Sequence, residues 1–375
     1  MQFTEEQLLI QKTARDFAQN EVLPRIDEII KNDEFIPRDL YKRMGELGFY
    51  GILVDKEDGG LGLGITELCL VTEELSKVAP TLGLILMCAC PRTYMIVSKN
   101  PVLKEKYLAG CLSGDIIIHG AATPPQGQTN NTEFQTFAKK VDGGYLLNGT
   151  RLFATSAVDC DVHQAYGLDE EGVMKVFTFP SDTPGFNHDA HEVKFGMKGS
   201  GGGTCTYKDV FVPDEMVNDS AVGSGDYFYM IWLVAASIAL GAMEGAFDQA
   251  VTYAKNRTFN FKPVASIQAQ AHRIAIMKNK ILACNALVYD AAGDYATPET
   301  VEDAHLKSLS AKALVPTVSF DVTRECMRLH GGLGYHDVHI YHYFCDSVMT
   351  AIMDQTTEIL LDKVAYAIDL ADELY

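Results

Sequence analysis

Carboxylates, glycine-rich turns and clustered histidines are the residues of this chain whose types and spacing can do chemistry. Asp354 begins the run Asp354-Gln355-Thr356-Thr357-Glu358, which reads as the cap and first turn of an amphipathic helix. Glu244 is an acid at the end of a long apolar stretch, where a glutamate more often meets solvent or pairs with a neighbour. His336, His339 and His342 recur every third residue, a spacing that can line up ligands along a helix. No Cys or carboxylate pattern supports them, so surface or interface histidines are expected and no metal. Backbone amides across Gly199–Gly203 can cradle a phosphate, but no Lys-Ser/Thr follows to open a helix, and a β-turn is the expectation. Nine cysteines, with Cys88-Ala89-Cys90 the nearest pair, fit buried thiols in a reducing compartment better than a disulfide framework.

The elements that must position these groups fall into three zones. From Met1 to about Leu112, apolar residues such as Phe3, Leu8, Ile10, Ala14 and Phe17 recur at helical spacing, opened by an N-cap at Thr4 and punctuated by Gly59-Gly60-Leu61-Gly62. Between Gly114 and Pro213 the texture is β-prone: Ile116–Ile118, Tyr145–Leu147, Val176–Phe179 and Val210–Val212, separated by turns such as Asp142-Gly143-Gly144. Long helical patterns return from Asp226. The apolar run Tyr227–Met243 falls just short of a membrane span and is broken by Ser237 and Gly241, which favours a buried core helix. A formal charge of −19 argues against nucleic acid or an anionic membrane as the main partner. Without a signal-like N-terminus, the cytoplasm is the expected location.

Several segments, taken jointly, resemble acyl-CoA dehydrogenases over essentially the whole chain. They are Gly45–Gly51 with Gly59–Gly62, then Tyr145-Leu146-Leu147-Asn148-Gly149-Thr150-Arg151-Leu152-Phe153-Ala154-Thr155-Ser156, and Lys208–Pro213. Asn256-Arg257 with Lys262–Gln268 follows, and last come His330-Gly331-Gly332-Leu333-Gly334 and Ile352-Met353-Asp354-Gln355-Thr356. The resemblance implies an α+β fold: an N-terminal α-helical domain (1–113), a small β-barrel-like central domain (114–225) and a C-terminal four-helix bundle (226–375). It implies FAD held by Thr123, Thr129, Phe153, Thr155, Ser156, Gly331, Gly332 and Thr356, with Arg257 and Gln268 reaching the cofactor of a neighbouring subunit. Asp354 falls where the family carries its base. Arg92, on a segment that lines the acyl pocket in relatives, and Trp232, where relatives hold the substrate's polar arm, are the implied substrate contacts.

The chemistry such a site must do is simple to state. Removing a hydrogen α to a thioester carbonyl needs a positioned base and a polarised oxygen. The β-hydrogen leaves as hydride, which no side chain accepts, so a flavin must. The sequence departs from the family pattern at function. Asp354 and Gln355 stand where the family pattern has Glu-Gly, and the thioester loop reads Thr123-Pro124-Pro125-Gln126-Gly127-Gln128-Thr129. Trp232, preceded by Ile231, replaces an Arg. Asn260-Phe261, Arg328 and Cys345 also differ. Three readings therefore stand. The first is an FAD-dependent enzyme that forms or reduces a C–C double bond in an unusual acyl-CoA or acyl-carrier thioester. It would pass electrons to an electron-transfer flavoprotein as a homotetramer or dimer. The others are a non-catalytic subunit of a hetero-oligomeric relative, and a thioester-binding relative without redox work.

Overall fold

Local capping sets the first helix. In a computed structural model, which describes residues 2–33, 35–127, 137–188, 193–219, 225–295 and 300–370, α1 (Glu5–Phe17) begins at Thr4. The Thr4 hydroxyl accepts from the Gln7 amide at 3.2 Å and the Gln7 side chain accepts from the Thr4 amide at 3.0 Å. The helical zone continues through α2 (Ile26–Asn32), α3 (Arg38–Glu46), α4 (Ile65–Ser76), α5 (Pro80–Arg92), α6 (Pro101–Leu103) and α7 (Ala109–Ser113). Pro80 at the first turn of α5 is placed where its missing N–H has no intrahelical partner to lose.

Strands β1 (Ile118–Ala121) and β2 (Ala138–Val141) open the central zone, followed by β3 (Gly144–Ala154), β4 (Val162–Leu168), β5 (Met174–Pro180), β6 (Phe186–His188), β7 (Gly203–Pro213) and β8 (Val217–Asp219). They form two four-stranded sheets, ordered β1-β4-β5-β8 and β2-β3-β7-β6. Among the described strands these sheets do not close, so the barrel-like form expected of this zone is two open sheets. In the parallel pair β1/β4, β1 is the edge of its sheet, and both α5 and β3 pack against it without a further strand bonding there among the described residues.

Helix α8 (Gly225–Asn256) leads into the short pair β9 (Thr258–Phe259) and β10 (Lys262–Pro263), then α9 (Gln268–Asp294), α10 (Val301–His330), α11 (Gly332–His336), α12 (Val338–Thr350) and α13 (Thr357–Ala367). Helices α8, α9, α10 and α12 pack on one another, and α13 packs on α10. By length and composition α8 resembles a membrane span, but its side chains are buried within the protein, as expected of a core helix. Gly241 and Gly245 let α4 cross α8 at backbone distance. A Cβ at Gly241 would lie 2.4 Å from the Glu73 carbonyl oxygen, and one at Gly245 would lie 2.2 Å from that of Lys77.

Candidate active site

Asp354 does not cap a helix. Thr356 is the N-cap of α13, and the residues before it reverse the chain in the left-handed region, Asp354 at φ +50 and Gln355 at φ +80. Asp tolerates this conformation; a glutamine at φ +80 holds it at a cost of about 1 kcal/mol or more. The glycine that the family pattern carries at position 355 would adopt it freely, so the backbone shape survives here without the residue that favours it.

Two neighbours hold this turn. Trp232 of α8, 4% exposed, donates its indole N–H to the Asp354 carbonyl at 2.8 Å. Lys312 of α10, 0% exposed, donates to the carbonyl of Thr350 at 2.8 Å and to that of Gln355 at 3.4 Å. The Trp232 ring rests on Phe228 and Tyr229, with Leu309, Ala313 and Leu360 beneath. Trp232 therefore meets the turn through its backbone, and its ring packs in a small apolar cluster.

The Asp354 side chain is open to solvent while protein crowds it on several sides, the setting of a group on the wall of a deep crevice. Desolvation raises its pKa, with Lys312 and Arg92 pulling the other way. Burial pushes Lys312 down to about 8, opposed by Asp354. Across the crevice, Arg92 at the end of α5 donates from Nε to the Tyr166 hydroxyl at 3.1 Å and from Nη1 to the Cys88 carbonyl. No carboxylate lies within ion-pair distance of Arg92 among the described residues. Gly120 on β1 makes room for it, since a Cβ there would sit 2.4 Å from Arg92 Nε. Cys88 ties the groups together: burial raises its thiol pKa, Arg92 opposes, Asp354 adds to the rise, and the Thr155 side chain lies within hydrogen-bonding reach. Tyr227 of α8 is buried against the same Arg92, Asp354 and Cys88.

Strand β3 is irregular where the sequence places cofactor contacts. The β3/β7 register slips between Arg151 and Ala154, and within the slip Phe153 takes φ +56 with its ring 64% exposed. Thr155 is half-buried, and Ser156, at φ +62, donates its amide to the Ser200 carbonyl at 2.7 Å. Thr123 is half-buried, and its carbonyl accepts from the Leu152 amide at 2.8 Å, which tethers its loop to β3. Thr129 lies outside the described residues. Arg257, Gln268, Gly331 and Gly332 are exposed.

Elsewhere the structure assigns other partners to the residues weighed from sequence. Glu244 pairs with Lys77 at 2.8 Å, and the same ammonium meets Glu73 at 2.8 Å and Glu74 at 3.1 Å, joining α4 to α8. His336 is exposed, His339 bonds Asp27 at 2.6 Å, and His342 is buried against Tyr343, so these three do not converge. A different trio, His119, His163 and Cys205, does converge inside the central zone. Its Cys205 Sγ stands 3.9 Å from His119 Nε2, and His163 Nε2 already bonds the Tyr207 hydroxyl at 2.6 Å. Bonds of about 2.0–2.3 Å around a tetrahedral ion set donors roughly 3.5 Å apart, closer than Cys205 and His119 stand here, and the Nδ1 atoms of His119 and His163 are buried without a hydrogen-bond partner among the described residues. Lys312, Tyr166 and Tyr227 escaped the sequence reading. The only signal for Lys312 is a lysine in the apolar run Ala311–Val315 of a helix.

Three family models cover most of the chain: the acyl-CoA dehydrogenase N-terminal domain over residues 4–115, the middle domain over 120–210 and the C-terminal domain over 232–368. The 3-(aryl)acrylate reductase of Clostridium sporogenes is 30% identical over 375 residues, covering 96% of this chain and 97% of that protein. The caffeyl-CoA reductase-Etf complex subunit CarC of Acetobacterium woodii is 28% identical, over 96% and 97% respectively. The structure of butyryl-CoA dehydrogenase from Megasphaera elsdenii superposes with a TM-score of 0.90 at 26% identity, over 98% of this chain and 99% of that one. This chain belongs to the acyl-CoA dehydrogenase family, a class of FAD-dependent acyl-CoA oxidoreductases.

Proposed function

We propose that this protein exchanges a Cα–Cβ single bond for a double bond in an acyl-CoA whose acyl group carries a polar or carboxylated end, with Asp354 as the acid–base residue. The observation that carries this reading is the Asp354 carboxylate on a crevice wall shared with Arg92, Cys88 and Thr155. A carboxylate desolvated in this way is a stronger base than one in water, and in the reductive direction a larger fraction of it carries the proton to be delivered. Asp is one methylene shorter than Glu, and the left-handed turn at Asp354 and Gln355 sets where its oxygens stand.

FAD fits the residues present: the outward Phe153 ring on its bulge, the Thr155 and Ser156 side chains, and the Thr123 loop tethered beside them. When bound, it supplies the hydride acceptor or donor that no side chain can be. Trp232 and Lys312 fix the backbone that carries Asp354, and Arg92 with Tyr166 and Tyr227 forms the polar end of the pocket. An arginine held there with no carboxylate partner offers its fork to one on the acyl group. Exposed Arg257, Gln268, Phe259 and Phe261 support a homo-oligomer, dimer or tetramer, in which this surface meets a neighbour's FAD. The CarC relative, named as part of an Etf complex, supports an electron-transfer flavoprotein as redox partner.

Anaerobic titration of the purified flavoprotein tests the reading, with butyryl-CoA, 3-phenylpropanoyl-CoA and glutaryl-CoA as probes. The expected result is bleaching of the flavin band by at least one probe, fastest with the carboxylated one, and none in Asp354→Asn with flavin still bound. A protein that takes up no FAD, or an Asp354→Asn variant bleached at the parental rate, overturns it.

A further inference from the structure

Lys312 is a charged side chain where the fold gives charge no obvious purpose. It lies in the middle of α10 with 0% exposure, flanked by buried Ala311 and Ala313, and no carboxylate comes within ion-pair distance among the described residues. An unpaired ammonium in such a place is expensive, and a methionine of similar volume would pack without that penalty. What the ammonium does touch is informative. It donates to the carbonyl of Thr350, the last residue of α12, and to the carbonyl of Gln355, the residue before the cap of α13. These two oxygens bracket the reversed turn that carries Asp354, and the first lies at the negative end of a helix. From the opposite side Trp232 holds the Asp354 carbonyl itself. The turn is thus gripped by its backbone from α8 and from α10, leaving the carboxylate free to face the crevice.

We propose that Lys312 is a positioning residue for the acid–base carboxylate: it clamps both ends of the Asp354 turn and sets a fixed positive charge beside it. This inference rests on the reading of Asp354 as the acid–base residue. The groups that face Asp354 are few. Arg92 and Cys88 come from α5, Tyr227 from α8 and Lys312 from α10. Lys363 of α13 stands over the Trp232 ring behind the turn. Of these, Lys312 and Arg92 act to lower the Asp354 pKa against the effect of burial. Arg92 is held by Tyr166 and Cys88, outside the turn, whereas Lys312 is the cation bonded to the backbone on both sides of Asp354.

Two substitutions separate the clamp from the charge. Lys312→Met removes both, whereas Lys312→Gln keeps N–H donors and removes the charge. Each is compared with the parent by flavin content, thermal midpoint, and the pH profile of flavin reduction by the fastest probe thioester. In Lys312→Met, with flavin retained, the maximal rate is expected to fall by about tenfold to a hundredfold as the carboxylate loses its place. The acidic limb should move up by roughly one pH unit as the charge is lost. Lys312→Gln should recover part of the rate while showing the same shifted limb, a separation that a purely structural role would not produce. Should Lys312→Met fail to fold, the limb of Lys312→Gln decides alone. A flavin-loaded Lys312→Gln with the parental limb overturns the inference. If Asp354→Asn is inactive in the same assay, only the role of Lys312 has then failed. An Asp354→Asn variant with parental activity removes the acid–base reading and this inference together.

Discussion

Replacing Trp232 by Phe tests whether the indole N–H, and not only the ring, holds the Asp354 turn. The substitution keeps an aromatic ring among Phe228, Tyr229, Leu309 and Leu360 but removes the donor that sits 2.8 Å from the Asp354 carbonyl. A buried carbonyl left without its partner costs about 1–3 kcal/mol. The smaller ring gives up about one buried CH2-equivalent of contact, roughly 1 kcal/mol more. Local opening of the turn should therefore become easier by about 2 kcal/mol at the low end of that range, which is roughly thirtyfold in the opening equilibrium. Hydrogen–deuterium exchange read by mass spectrometry on a peptide covering Met349–Leu360 measures this directly, with a peptide from the β3/β7 pair as internal control. Faster exchange in the first peptide alone is the expected outcome. Exchange at Met349–Leu360 within about threefold of the parent would refute the argument, because that corresponds to well under 1 kcal/mol.

Three further expectations concern stability. Gly241→Ala should destabilise the protein by about 1–3 kcal/mol in urea unfolding despite alanine's better helix propensity, because its methyl meets the Glu73 carbonyl oxygen. Asp346 accepts the Met197 amide at 2.6 Å, and burial raises its carboxyl to about 7. A folded-state pKa above the unfolded one, about 3.9, gives stability that is complete below the unfolded value and lost as pH rises through about 7. The thermal midpoint should accordingly fall between pH 5 and pH 8, by up to about 2.6 kcal/mol in stability, and Asp346→Asn should flatten that slope. An unchanged slope in Asp346→Asn would assign the pH dependence to other groups. Gln355→Gly should relieve left-handed strain worth about 1 kcal/mol, offset in part by the entropy glycine adds to the unfolded chain, so a loss above about 1 kcal/mol would show that the side chain itself holds the turn.

The fold was legible because it is written in patterns that repeat. Helical spacing at Ile10, Ala14 and Phe17 and the Thr4 cap reappear in α1, and Tyr145–Leu147 and Val210–Val212 are paired strands. Of the candidate site, the sequence offered only residues that sit in recognisable neighbourhoods, as Thr155 and Asp354 do. Asp354 reads locally as a helix cap because Asp before Gln-Thr-Thr-Glu satisfies that pattern. The left-handed φ values that give the cap to Thr356 depend on Trp232 and Lys312, residues far away in the chain. Lys312 was invisible for the same reason. A lysine among alanines in a helix is compatible with the surface, and only packing of α8, α12 and α13 around α10 shows that its ammonium has carbonyls to meet and no water.

The glycine crossing of α4 and α8 has a mechanical consequence. Helix α8, 32 residues long, is a rod of about 48 Å. Near one end it carries the indole that grips the Asp354 turn, and one helical stretch further on it is pinned at Gly241 and Gly245 to the backbone of α4. Side chains between two helices act as a compliant layer that can slide by changing rotamers, and at these two glycines the backbones meet without one. The joint is stiff, so the distance between the indole and the N-terminal helices is set by main-chain contact. Any movement of the indole relative to the N-terminal helices therefore has to carry the main chain of α4 with it.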